Sequence, residues 1–97
     1  MYYHRLVGYE WLPAGLRSLV DVEPYEVNQV LYAKVRRPIP AVDPMGLWLL
    51  TIWGRTNTGR ALVIGIRQVS RWDWQIISAR PMTDAEEQAH QDWEEQR

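Results

Sequence analysis

The sequence predicts an α+β domain in which a small antiparallel sheet of three to four strands is packed by two N-terminal helices and one C-terminal helix. Three observations lead there. Apolar spacing is helical up to residue 35, it changes to period two between residues 47 and 80, and a helix-capping signal follows at Thr83. At 97 residues the chain is expected to be one domain, 1–97, with a single modest core.

Residues 1–9 alternate, with Tyr2, His4 and Leu6 on one side and Tyr3, Arg5 and Val7 on the other, as in a short strand or ordered arm. In residues 11–21, Pro13 suits a first helical turn, and Leu12, Leu16, Leu19 and Val20 are spaced for one helical face; Gly15 weakens that helix. Pro24 opens a second helix, whose stripe is Val27, Val30, Leu31 and Val35. It must stop before Pro38, because a proline pushes the residue before it out of helical geometry. Residues 36–46, with prolines at 38, 40 and 44, read as a stiffened loop.

Residues 47–53 are apolar on both faces, which predicts a strand covered on both sides. Residues 54–59 carry the Gly/Asn chemistry of a hairpin loop, 61–67 return antiparallel, 68–73 turn again, and 74–80 form the last strand. Pro81 ends it. Thr83-Asp84-Ala85-Glu86 is a capping box, in which hydroxyl and carboxylate satisfy free N–H groups at the helix start. Ala85, Ala89 and Trp93 give that helix a narrow apolar stripe. The expected order is β-α-α-β-β-β-α.

Composition removes several functional classes. The chain has no Cys, so neither a disulfide framework nor a thiolate metal site can form, as in a reducing cytoplasm. No apolar run reaches the roughly 18–20 residues of a membrane span, and the first residues are not followed by a signal-peptide core. The expectation is a cytoplasmic protein away from membranes. The only histidines, His4 and His90, lie far apart in sequence without metal-ligand spacing, so no metal and no cofactor are expected. Residues 54–59 lack the Lys-Ser/Thr of a phosphate-binding loop, and no serine stands in a nucleophile-elbow context.

Charge and aromatic content are uneven. Residues 1–80 carry a net +4 and residues 81–97 a net −5, so a basic body ends in an acidic helix. Six Trp and five Tyr with no Phe supply large amphipathic rings for core, interface or base stacking. Trp53 and Trp93 are expected in the core, Trp72 and Trp74 partly exposed.

A cluster of arginines is the remaining chemical signal. Arg60 and Arg67 bound one strand, Arg80 ends the next, and Arg55 lies in the hairpin. Metal-free RNA cleavage needs positive charge at the developing phosphorane, a base for the 2′-hydroxyl and an acid for the leaving oxygen. Arginines can bind phosphate bidentately. Glu86 and His90, four residues apart, share a helix face and could divide the proton transfers. The plainer alternative is that Glu86 only caps the helix, His90 is a surface residue beside it, and the arginines are solvated strand ends.

Several stretches together resemble the BrnT family of RelE-like toxins. Gly59-Arg60-Ala61-Leu62 matches its G-R-x-L, Ile76-Ile77-Ser78-Ala79-Arg80 its I-I-S-A-R, and Thr83 with Glu86 its T-x-x-E; Trp11 and residues 22–27 are similar to its opening more faintly. The chain differs at Trp48 and Glu87, where the family has Arg, and at His90, where it has Tyr. The resemblance implies a RelE/BrnT-like fold, endoribonuclease action on mRNA (with or without the ribosome), and a cognate antitoxin, typically of ribbon-helix-helix type. On that basis Arg80, His90 and Glu86 are the expected catalytic residues, and Arg55, Arg60 and Arg67 the expected RNA phosphate contacts. The alternatives are a catalytically inactive protein-interaction module of the same fold, or a nucleic-acid-binding regulator. Assembly as a homodimer is left open.

Overall fold

A computed structural model describes residues 8–97. The elements are β1 (Gly8–Trp11), α1 (Pro13–Arg17), α2 (Pro24–Leu31), β2 (Arg36–Val42), β3 (Trp48–Arg55), β4 (Ala61–Gln68), β5 (Asp73–Pro81) and α3 (Asp84–Glu95). The α+β class stands, but the sheet has five strands in the order β1-β5-β4-β3-β2 and is mixed, because β1 runs parallel to β5.

One expectation about strands needs correction, and another lies largely outside the described residues. The arm expected over residues 1–9 falls largely outside the described residues, and the first described strand is Gly8–Trp11, paired through Tyr9↔Trp74 and Trp11↔Ile76. The stiffened loop is in fact β2, an edge strand paired antiparallel from Arg36↔Gly54 to Val42↔Trp48. Pro38 and Pro40 argued against a strand because proline cannot donate to a ladder. Two positions apart, they share one side of the backbone, and at an edge that side faces no neighbour. The second helix accordingly stops at Leu31, well before Pro38, and Val35 is exposed rather than part of the stripe.

One sheet face carries the main core. Val27, Val30 and Leu31 of α2, together with Val22, pack on Ile52, Leu62, Ile64, Ile66 and Ile76, all nearly free of solvent. Burying side chains of this size stabilises by roughly 1.5–3 kcal/mol each, so this layer dominates the fold. Pro24 sits in the first turn of α2, and Glu23 and Glu26 form a capping box there. α1 is held close to β5: a Cβ built on Gly15 would lie 2.8 Å from the Ile77 carbonyl oxygen.

β4 and β5 pair as Val63↔Arg80, Ile64↔Ala79 and Gly65↔Ser78, then shift register to Ile66↔Ile76. Ile77 is the extra residue of a bulge, which bends β5 locally. The hairpin between β3 and β4 closes through Thr56 N–H to the Arg60 carbonyl at 2.9 Å, with Gly59 at φ +90° where other residues are strained.

The second sheet face is only half covered. α3 lies over its hairpin end, where Met82, Ala61 and Val63 are buried with Trp53 against them. The capping box of α3 is formed: the Glu86 N–H donates to the Thr83 hydroxyl at 3.2 Å, and the Thr83 N–H donates to the Glu86 carboxylate at 2.8 Å. The apolar stripe is not the expected one. Ala85 and Ala89 are exposed, and the inward residues are His90, with Trp93 and Glu94 half-buried beside it. Trp53 and Trp93 are likewise half-buried, not enclosed.

Candidate functional site

Strand alternation and register divide the predicted arginines between the two faces. Arg67 lies on the Val63 and Gly65 side of β4, Arg80 opposite Val63, and Arg55 opposite Ala61, so these three share the face that α3 half covers. Arg37, opposite Trp53 on β2, joins them. Arg60 does not: it belongs to the α2 side, bound to Glu26 at 3.0 Å and Asp21 at 2.9 Å.

Each of the four predicted arginines is engaged by a carboxylate of its own chain. Arg80 binds Glu86 bidentately, at 2.6 and 2.7 Å. Arg55 grips Glu94 through Nε and Nη2 at 2.9–3.1 Å, and reaches Glu87 at 3.5 Å. Arg67 meets Asp43 at 3.0 Å at the far end of the face. Planar forks of this kind are the strong form of charge-assisted hydrogen bond. At Arg55 and Arg80 the partner anions come from the acidic helix, so these two guanidinium forks are already occupied.

The proton-transfer candidates are placed unequally. Glu86 and His90 share a helix face as predicted, but only Glu86 is in contact with an arginine of the sheet. The Arg80 guanidinium, reinforced by the Thr83 N–H, pulls the Glu86 carboxyl down to about 2. At neutral pH it is a fixed anion, too weak a base to take a proton from a 2′-hydroxyl efficiently. His90 is fully buried, and neither ring nitrogen has a hydrogen-bond partner among the described residues. Its Nε2 stands 3.7 Å from Glu94, and its ring stacks on Trp93 with centroids 5.3 Å apart. Burial lowers the imidazole pKa; Glu94 opposes this, while Arg55 and Arg37 add to it. The imidazole is neutral at physiological pH and reaches solvent only if α3 moves.

Sequence reasoning missed Arg37, whose guanidinium lies 5.8 Å from the Trp93 ring centroid. The missing signal was the strand itself: read as β2, residues 36–42 alternate, and Arg37 falls on the same side as Ile39 and Ala41. Beyond α3 no helix covers the face: Ser78 is exposed there, Gly65 is buried beneath the Ser78, Leu49 and Ile77 side chains, and the Thr51 hydroxyl donates to the Ile39 carbonyl at 2.6 Å. Among the described residues no group of His, Asp and Glu is arranged to hold a metal, and no helix is long and apolar enough to cross a membrane. Compared with protein-family models, curated proteins and solved structures, the chain matches none.

Proposed function

We propose that this chain is a RelE/BrnT-like toxin component of a toxin–antitoxin pair, acting on mRNA as an endoribonuclease through the sheet face that α3 half covers. One observation carries the reading: register and alternation put Arg37, Arg55, Arg67 and Arg80 on a single sheet face, which no helix covers beyond α3. Four guanidinium groups on one face suit a phosphate backbone. In the closed arrangement Arg55 and Arg80 are paired to α3, so RNA has to displace Glu86 and Glu94 or wait for the helix to leave. A cognate antitoxin, by this reading, keeps the face from RNA.

A second reading is favoured by a specific observation. With His90 enclosed and Glu86 held ionised, neither chosen proton carrier is ready for catalysis in this arrangement. The chain would then be a binding module or nucleic-acid-binding regulator of the same fold. Tightly induced expression separates the two. Growth arrest with shortened mRNA by the wild type, lost in a folded Arg80→Ala variant, supports the ribonuclease. Soluble, folded wild type without arrest supports the module.

A further inference from the structure

All three helices leave one end of the sheet uncovered. α2 packs against Gly54 at the hairpin end, α3 crosses the same end at Ala61 and Arg55, and α1 sits over the Ile77 bulge. The opposite end is made by the β2–β3 loop and the β4–β5 turn. Large apolar groups concentrate there in the open: Met45 is 84% exposed and Trp48 69%, with Leu47, Val69 and Trp72 also exposed. Large apolar groups exposed together at one end of a small domain point to an interaction site.

The register gives this surface a shape. Val42 pairs with Trp48, Gln68 with Trp74, and Trp74 with Tyr9, so these side chains form a row across the sheet end. A cavity of about 340 Å³ lies there, lined by Trp48, Trp74, Leu49, Leu50, Arg67 and Gln68. Its size and indole walls suit one large side chain. Charge supplies the rest. Asp43 is consumed by the Met45 and Leu47 N–H groups and by Arg67, and Asp73 accepts from the Ser70 hydroxyl at 2.8 Å. Arg71, over the Trp72 ring at 5.2 Å, has no carboxylate at ion-pair distance among the described residues.

We propose that this sheet end docks an acidic segment of a partner protein, which inserts one large apolar side chain between Trp48 and Trp74 and sets a carboxylate against Arg71. The surrounding Met, Leu and Val side chains favour a polypeptide over a nucleic acid, whose phosphates would need more cations than this rim offers. Arg67 lines this cavity and also belongs to the face assigned to RNA, but Trp48 and Arg71, the positions varied below, do not, so the two readings fail separately.

The test uses the full chain with isotope-labelled indoles, assigned through Trp48→Phe and Trp74→Phe. The probes are two synthetic amphipathic peptides with the same leucine face, one otherwise rich in Asp and Glu, the other in Lys. The acidic peptide is expected to move the Trp48 and Trp74 signals to saturation while the lysine peptide leaves them in place. Arg71→Glu and Trp48→Ala, both at exposed positions, should each weaken binding by about tenfold or more with unchanged circular dichroism. Equal response to both peptides, or to neither, overturns the proposal. So does uridine monophosphate moving the same signals where the acidic peptide does not, which would make this a base pocket. Signals that shift with protein concentration alone would assign the surface to a second copy of the chain, and also overturn it.

Discussion

Alanine at position 15 should loosen α1 from the sheet, and two opposing effects set the size of the loss. On helix propensity alone the change is favourable by about 1 kcal/mol, since glycine is a poor helix former. The structure opposes it: the new Cβ would stand 2.8 Å from the Ile77 carbonyl oxygen, 3.0 Å from its carbon and 3.3 Å from the Ile76 oxygen. These are backbone atoms of a paired strand, so no rotamer change relieves the contact. Overpacking of this kind costs roughly 1–3 kcal/mol, and a five-residue helix has little else to hold it. The net expectation is about 0–2 kcal/mol of destabilisation, and at the middle of that range, ~1 kcal/mol, a Tm lower by roughly 4–8 °C for a domain of this size. Urea unfolding followed by tryptophan fluorescence measures it, with Ala14→Gly on the exposed side of α1 as the propensity control. A Gly15→Ala protein more stable than the wild type by about 1 kcal/mol, the mirror of the loss in Ala14→Gly, would refute the close approach of α1 to the bulge.

Other expectations follow from the same contacts. Burial depresses the folded-state pKa of His90 below its unfolded value, so the unfolded chain binds the extra proton first; stability should be full above pH about 6.5 and fall as pH drops below it. His90→Met should remove that dependence, and an unchanged pH profile between neutrality and pH about 5 would contradict the burial. Glu86, lowered from 4.5 to about 2 by Arg80, contributes stability that is present above its unfolded pKa and lost as pH falls toward the folded one. Because Arg80 is half exposed, Arg80→Ala should cost only about 1 kcal/mol in thermal unfolding. Thr83→Ala, which removes the cap, should cost a similar ~1 kcal/mol and lower α3 helicity by circular dichroism. Replacing Pro38 and Pro40 together by threonine supplies edge donors, and should produce self-association detectable by sedimentation.

The legible parts of this chain were those governed by local chemistry. The hairpin at residues 54–59, the last two strands and the Thr83 capping box are each fixed by neighbouring residues, and they appear where their spacing puts them. β2 was hidden because its prolines signal a break unless the strand is known to be an edge, and edge position is a property of the whole sheet. The parallel pairing of β1 with β5 was hidden for a similar reason, since the partners lie more than sixty residues apart. Within the candidate site, spacing brought Glu86 and His90 to one helix face but could not reveal the ion pair that holds one and the burial that encloses the other. Alternation separates Arg60 from Arg67, but only the register of β4 with β3 and β5 places Arg55 and Arg80 on the Arg67 side.

The thin attachment of α3 has a consequence for how the molecule breathes. Its hold on the sheet is a small apolar contact around Met82 and His90 plus ion pairs at Arg55 and Arg80, whereas β4 lies in the middle of the sheet with Leu62 and Ile64 completely buried. Amide protons of β4 should therefore exchange only when the whole domain unfolds, while those of α3 exchange through a smaller, separate opening. Because salt screens the ion pairs that oppose this opening, ionic strength sets how often the second face is bared, while the main core is left largely untouched.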